Sequence, residues 1–131
     1  MSDDDRGDEK LKRNLLFIAF GLLVAVILIA EGNPIVPVWV ILAIALIWAV
    51  LQLVLIRTKP EVGEYVDWWS IVHVLSGILL GLLSVSLLKT LVVLVLWEVV
   101  EGLAGVKEPR TNRIADVLIG LLGWFLATLV I

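Results

Sequence analysis

The 131-residue chain is 61% hydrophobic and 18% charged, whereas soluble domains are about 45–50% apolar. A soluble domain of this length needs polar side chains over much of its surface, so the composition excludes a water-soluble monomer and indicates a small polytopic membrane protein. The net charge of -3 argues against a nucleic-acid partner, and the lack of cysteine excludes disulfides, thiolate nucleophiles and thiolate metal sites.

The first predicted feature is a charged N-terminal tail. Residues 1–13, MSDDDRGDEKLKR, contain too few apolar side chains to fold alone, which predicts a disordered cytoplasmic segment. Residues 14–30 are uncharged and apolar, at the short end of what spans a bilayer. Basic residues precede this run, as they do in secretory signals, but the acidic start is unusual for one. We therefore expect a retained first helix, with a cleaved signal as the alternative.

A second helix is predicted over residues 38–56. The segment before it, EGNPIVP, contains glycine, asparagine and two prolines, which cannot continue a helix and mark a turn. The segment RTKP ends the helix. A polar connection then leads to Trp68 and Trp69, a pair that suits a membrane interface.

Three more helices are predicted in the C-terminal half of the chain. Helix three covers about residues 69–88, helix four about 91–105 and helix five about 114–131. Lys89 and Thr90 are the only polar break between helices three and four, so these two must form a close hairpin. The sequence thus predicts an all-α membrane bundle of about five helices.

The basic residues orient this bundle, which forms one transmembrane domain over residues 14–131. Cytoplasmic loops retain Lys and Arg. When the five predicted spans alternate, Lys89 alone lies outside. The nine basic residues inside are Arg6, Lys10, Lys12, Arg13, Arg57, Lys59, Lys107, Arg110 and Arg113. The charges therefore predict a multi-pass protein of the cell (plasma) membrane, with the N-terminus inside and the C-terminus outside.

Four ionisable side chains lie at a similar predicted depth in helices three to five. They are His73, Glu98, Glu101 and Asp116, each within about 5–10 Å of the cytoplasmic boundary by helical rise. Charged groups inside a bilayer usually face protein or water rather than lipid. Glu98 and Glu101 share one face of helix four because they are three residues apart. We therefore predict a shared site in which these four residues are the candidate catalytic groups or metal ligands.

Small residues at intervals of three and four indicate close packing of helices three and five. Such residues let helix backbones approach each other in lipid. The stripe on helix three comprises His73, Ser76, Gly77, Gly81 and Ser84, and the stripe on helix five comprises Asp116, Gly120, Gly123 and Ala127. Packing the stripes together, or onto helix four, would carry the histidine and the aspartate toward the two glutamates.

Each polar residue also has a purely structural interpretation. His73 could be a hydrogen-bonded packing residue, and Asp116 could favour the positive N-terminal end of helix five. Glu98 and Glu101 could pair with basic residues of the following loop at little cost near the interface. These alternatives require no ligand.

The C-terminal half of the chain resembles the VanZ-like membrane proteins. Their pattern has an aspartate and a histidine opening one helix, Glu-x-x-Gln late in the next, and an arginine followed by Asp-x-x-x-Asn-x-x-Gly. The counterparts here are Asp67 and His73, Glu98 and Glu101, and Arg110 followed by Asp116, Gly120 and Gly123. In this chain the aspartate-to-histidine spacing is longer, Glu101 replaces the glutamine, and Gly120 replaces the asparagine.

The resemblance implies a cell-envelope role without naming a reaction. The VanZ-like family is associated with resistance to the glycopeptide teicoplanin, and its biochemical activity is poorly defined. None of Tyr65, Ser70, Ser76 and Thr111 stands in a recognisable nucleophile motif. The sequence therefore leaves open whether the protein is an enzyme.

The leading functional hypothesis is a site for a lipid phosphate headgroup or a divalent cation at the inner leaflet. Lys107, Arg110 and Arg113 lie beside the predicted N-terminus of helix five, whose free N–H groups favour anions. The carboxylates could hold Mg²⁺, Ca²⁺ or Mn²⁺, and His73 would also permit Zn²⁺. Two alternatives are cation or proton transport through a homo-oligomer and a structural role as a subunit of a larger membrane complex.

Overall fold

The computed structural model describes residues 2–130, which form five α-helices. These are α1 (Asp3–Glu31), α2 (Val38–Thr58), α3 (Trp69–Leu82), α4 (Leu87–Leu103) and α5 (Arg110–Thr128). No strand occurs in this range, so the all-α prediction is confirmed. Among the described residues, α1 and α2 are long and apolar enough to cross a membrane, and α3 is apolar but shorter. Five membrane crossings therefore stay a prediction, and the predicted end of helix five at Ile131 lies outside the described residues.

The N-terminal segment differs from the sequence prediction, because α1 begins at Asp3 where a disordered tail is expected. Ser2 forms a capping box: its hydroxyl accepts from the backbone N–H of Asp5, and the Asp5 carboxylate accepts from the N–H of Ser2. Three aspartates in the first turn complement the positive helix end, and Arg6 forms an ion pair with Asp3. The prediction considers only the shortage of apolar residues, whereas these local polar contacts favour a helix without a core.

The turn between α3 and α4 covers residues 83–86, earlier than the polar break predicted at residues 89–90. Ser84 adopts a left-handed conformation with a φ of 61°, and its hydroxyl donates to the backbone carbonyl of Asn33. Ser86 then caps α4 with its side chain. Two serines in apolar surroundings are a weak sequence signal. Hydrogen bonds to the α1–α2 connection stabilise the turn at this position.

The start of α5 also differs from the prediction, since the helix begins at Arg110 rather than at residue 114. Pro109 precedes the first turn with extended backbone, a place where a missing N–H is tolerated. The sequence assigns residues 110–113 to a loop because they are all polar. In the structure the buried Asn112 holds this first turn by donating to the carbonyl of Gly63 at 2.8 Å.

The most extensive helix contact in the described chain joins α3 to α5. A Cβ atom at Gly77 would overlap the backbone carbonyl of Gly120, and a Cβ atom at Gly123 would overlap the carbonyl of Val74. The two backbones touch because only hydrogen stands at these positions. The predicted packing of the two small-residue stripes is confirmed.

The opposite side of α5 lies against α4. A Cβ atom at Gly120 would come within 2.7 Å of the side chain of Leu94. Beyond that contact, Trp124 donates its indole N–H to the carbonyl of Val85 in the α3–α4 turn at 2.8 Å. The fifth helix is therefore held between the third and the fourth.

Helices α1 and α2 lie at the periphery of this core. Trp48 of α2 donates its indole N–H to the hydroxyl of Ser76 on α3 at 2.9 Å. Phe17 and Phe20 of α1 pack against Trp97 of α4, with ring centroids 5.6 and 5.2 Å away. No described residue of α1 is buried. Helix α2 buries Ile41 against Leu82 and Ala127, so the two helices add apolar contacts without adding to the polar interior.

Candidate functional site

Three ionisable side chains from three helices meet in the interior. His73 of α3, Glu98 of α4 and Asp116 of α5 have only 4%, 7% and 1% of their surface exposed. The Nε2 atom of His73 lies 3.2 Å from Oδ2 of Asp116 and 3.8 Å from Oε1 of Glu98. The structure therefore brings together three of the four residues predicted to share a site. We call these three residues the His–Glu–Asp cluster.

Helix packing sets the position of this cluster. Gly77 and Gly120 form the backbone contact between α3 and α5, and Leu94 of α4 packs on Gly120. These three packing residues are each four positions along the chain from one cluster residue, namely His73, Asp116 and Glu98, respectively. Four residues are about one helical turn, so the three ionisable side chains lie at one level. The small residues thus determine both the closeness and the register of the cluster.

The carboxylates of the cluster have more acceptor capacity than the surrounding protein uses. Both Oε atoms of Glu98 and the Oδ1 atom of Asp116 are buried and have no hydrogen-bond partner among the described residues. A buried carboxylate without compensation costs several kcal/mol. His73 can provide one proton for two carboxylates. The arrangement therefore has room, in charge and in lone pairs, for a cation.

Glu101, the fourth predicted residue, belongs to a second group that shares Glu98. One ligand atom from each of Glu98, Glu101 and Glu108 lies within 4.8 Å of the others. The ligand atoms of the His–Glu–Asp cluster are equally close to one another. Glu108 is not among the predicted site residues, because it stands in a loop that is otherwise basic. No motif in the sequence marks its side chain as inward-facing.

Of the three predicted anion-binding residues, the structure brings only Arg113 to the cluster. Its Nη1 donates to the backbone carbonyl of Glu98 at 2.9 Å, and its Nη2 donates to that of Val106 at 2.8 Å. Its Nε lies 3.7 Å from Oε1 of Glu108, beyond hydrogen-bond distance. The other two predicted residues, which are exposed, are Lys107 and Arg110. Arg113 thus hydrogen-bonds two backbone carbonyls of α4 and the α4–α5 connection, and it forms a long ion pair with Glu108.

Asp67, the aspartate of the VanZ-like pattern, lies in a separate hydrogen-bond network. Its Oδ2 accepts from the backbone N–H of Gly63 at 3.1 Å and from Nδ2 of Asn112 at 2.9 Å. Its Oδ1 accepts from the N–H of Trp69 at 2.9 Å. Asn112 is not among the predicted site residues, since a lone asparagine among charged residues carries no motif. This network ties the α2–α3 connection to the first turn of α5, and its carboxylate is satisfied without a ligand.

A groove of about 550 Å³ opens between α4 and α5 beside the cluster. Glu98 and Arg113 are its charged lining residues. The remaining lining residues are Val95, Val99, Gly102, Leu103, Ile114, Val117 and Leu118. This α4–α5 groove is therefore charged at one place and apolar elsewhere.

No protein-family profile, curated protein sequence or solved structure matches this chain. The resemblance to the VanZ-like proteins rests on the motif residues alone and stays a prediction.

Proposed function

We propose that the chain is a multi-pass protein of the cell membrane whose His–Glu–Asp cluster binds a divalent cation. The lengths and apolarity of α1 and α2 support the membrane placement. So do the large apolar side chains exposed on the other helices, including Leu88 at 70% and Ile114 at 62%. The distribution of basic residues favours an N-terminus inside and a C-terminus outside, with five spans.

The observation that carries the cation proposal is the meeting of unpartnered, buried carboxylates at one imidazole. Glu98 and Asp116 supply oxygen ligands, and both face the Nε2 atom of His73. One nitrogen and two carboxylates make a donor set that suits Mn²⁺ or Zn²⁺. A divalent cation would offset both negative charges, while His73 would bind it as a neutral imidazole. Because the ligands come from three helices, the cation would also link those helices.

The test is a titration of the purified full-length protein in detergent with Mn²⁺. The concentration of free Mn²⁺ is measured from its electron paramagnetic resonance signal. We expect the unaltered protein to bind Mn²⁺. Glu98→Gln and Asp116→Asn keep the side-chain shape and remove a charge, so each should weaken binding by at least about tenfold. Glu64→Gln and Asp8→Asn are matched controls at exposed positions and should leave the affinity unchanged.

Two results would contradict the cation proposal. One is the absence of Mn²⁺ and Zn²⁺ binding by the unaltered protein. The other is binding that survives both cluster substitutions. A purely structural ion-pair network would show itself by changes in melting temperature in Glu98→Gln and Asp116→Asn without any dependence on added metal.

The α4–α5 groove favours a second candidate function, which is binding of a lipid with a phosphate headgroup. The apolar lining of the groove suits an acyl chain, and Arg113 lines the groove together with Glu98. Two exposed basic residues add positive charge for an anionic headgroup: Lys107 in the α4–α5 connection and Arg110, the first residue of α5. This function is compatible with a cation at the cluster, because a divalent ion also attracts phosphate.

Filling the groove tests this second function. Val99 lines the groove and is 48% exposed, and Val92 lies on the same helix outside it and is 43% exposed. Val99→Phe should lower the amount of phosphatidic acid retained through purification from mixed vesicles, whereas Val92→Phe should not. Diacylglycerol, which lacks the phosphate, and inorganic phosphate, which lacks the chains, separate the two parts of the interaction. Equal retention by the two variants would remove the groove as the binding place.

A further inference from the structure

The second carboxylate group lies next to the proposed cation site and shares one residue with it. Glu101 is three residues from Glu98 on the same face of α4, and Glu108 reaches the pair from the α4–α5 connection. The ligand atoms of these three residues lie within 4.8 Å of one another. Glu98 therefore stands between two sets of potential ligands.

The second group also contains buried oxygens without hydrogen-bond partners, one of which, Oε1 of Glu108, is in a long ion pair with Arg113. The side chain of Glu108 is 8% exposed and that of Glu98 is 9% exposed. Oε1 of Glu108 and both Oε atoms of Glu98 lack hydrogen-bond partners among the described residues. Two such side chains pointing to one place are more than an acidic surface patch, because their lone pairs are turned away from water.

Positive charge from the protein is scarce at this place. Arg113 directs Nη1 and Nη2 to backbone carbonyls and holds Nε at 3.7 Å from Glu108. One guanidinium thus lies near three carboxylates of the second group. A cation bound by His73 and Asp116 would contact Glu98 from one side only. It would leave the charges of Glu101 and Glu108 without a bound cation.

We propose that the protein binds a pair of divalent cations and that Glu98 bridges them. His73 and Asp116 complete the ligands of the first cation, and Glu101 and Glu108 complete those of the second. A carboxylate with two free oxygens can bind one cation through each, and two-metal sites of this kind hold their ions about 3.5–4 Å apart. Such a pair binds the oxygens of a phosphate group between its ions, which matches the anionic ligand class considered for the groove.

This inference rests on the proposed cation site, and its test distinguishes the two. The full-length protein in detergent is loaded with Mn²⁺, freed of excess ion by gel filtration, and measured by elemental analysis and electron paramagnetic resonance. We expect about two Mn²⁺ ions per chain with the spectrum of a magnetically coupled pair. A single uncoupled ion would overturn the bridged pair and leave the first site standing, whereas no bound ion would overturn both proposals.

Two variants locate the ions. Glu101→Gln combined with Glu108→Gln should leave about one Mn²⁺ with the hyperfine-resolved spectrum of an isolated ion, because only the first set of ligands remains. Glu98→Gln should lose the magnetic coupling whether it retains one Mn²⁺ ion or two. Glu64→Gln is the control and should keep the coupled pair. Two uncoupled ions in the unaltered protein, or a coupled pair that survives in the double variant, would overturn the bridge. Circular dichroism and gel-filtration volume show that each variant is folded.

Discussion

The C-terminal helices α3 and α5 pack in a different way from the N-terminal helix α1. The contact between α3 and α5 rests on glycines at which the backbones meet, and α5 buries Asn112 and Asp116 among its small residues. In contrast, α1 buries none of its described residues although it is the longest helix. In lipid, an apolar side chain gains little by leaving one apolar surrounding for another. In the proposed lipid environment, small and polar residues rather than hydrophobicity would therefore specify which helices pack.

The largest effect should come from adding one methyl group at the α3–α5 contact. Gly77→Ala would place a Cβ atom on the backbone carbonyl of Gly120, which has no flexible side chain that could yield. We expect the free energy of unfolding to fall by about 3 kcal/mol or more, the upper end of the ~1–3 kcal/mol that overpacking typically costs. Thermal unfolding in detergent, with helix content followed by circular dichroism, measures this loss.

The same substitution in α1 is the matched control, and we expect it not to lower the free energy of unfolding. A Cβ atom at Gly21 would meet no neighbouring atom within 4 Å. Alanine in a helix interior is favoured over glycine by about 0.5–1 kcal/mol, so Gly21→Ala should be neutral or stabilising. A Gly77→Ala protein that is as stable as Gly21→Ala would show that the α3–α5 contact does not depend on the missing side chain at Gly77.

A smaller loss is expected at the network that joins the α2–α3 connection to α5. Asn112→Ala removes the donor to both the Gly63 carbonyl and the Asp67 carboxylate. The Asp67 carboxylate keeps its hydrogen bond from the Gly63 N–H, whereas the Gly63 carbonyl loses its donor, so we expect a loss of about 1–3 kcal/mol in the free energy of unfolding. Asn14→Ala, at an exposed position of α1, is the control and should change the melting temperature little. An Asn112→Ala protein as stable as the unaltered chain would show that water replaces the amide.

These contrasts also explain what the sequence could predict. Small-residue spacing predicts the packing of α3 on α5, because it follows from regular helix geometry. Predicted depth points to four converging residues, of which His73, Glu98 and Asp116 meet and Glu101 lies in the second group. Glu108 and Asn112 could not be found in this way. They lie at the boundary between loop and helix, where a change of direction decides whether a polar side chain points inward.

Helix ends were the least predictable part of the fold for the same reason. Hydropathy separates apolar segments from polar ones, but a helix continues as long as its backbone groups are capped. The capping box at Ser2 extends α1 into a charged segment, and the left-handed Ser84 breaks an apolar segment that otherwise continues. Both features are single-residue conformations that depend on neighbouring atoms rather than on average composition.

The contact between α2 and the core should contribute less than the contacts within it. Trp48→Phe removes the hydrogen bond to Ser76 and keeps an aromatic ring, so we expect a loss of about 0.5–1.5 kcal/mol in thermal unfolding. Trp39→Phe is the control on the same helix, since Trp39 is 70% exposed. A double variant with Ser76→Ala should show less than additive losses. Full additivity would mean that the two side chains act independently.

The smallest effect is expected where α1 meets α4. The Lys89 ammonium forms an ion pair with Glu31, and the two side chains are 45% and 32% exposed. Exposed pairs contribute about 0.2–1 kcal/mol, because water screens the charges and ordering two long side chains opposes the attraction. Lys89→Ala should therefore lower stability by less than about 1 kcal/mol, and the difference should shrink as salt is added. Lys12→Ala, exposed on α1, is the control. A salt-independent loss of several kcal/mol at Lys89 would mean that this end of α1 is held as firmly as the α3–α5 core.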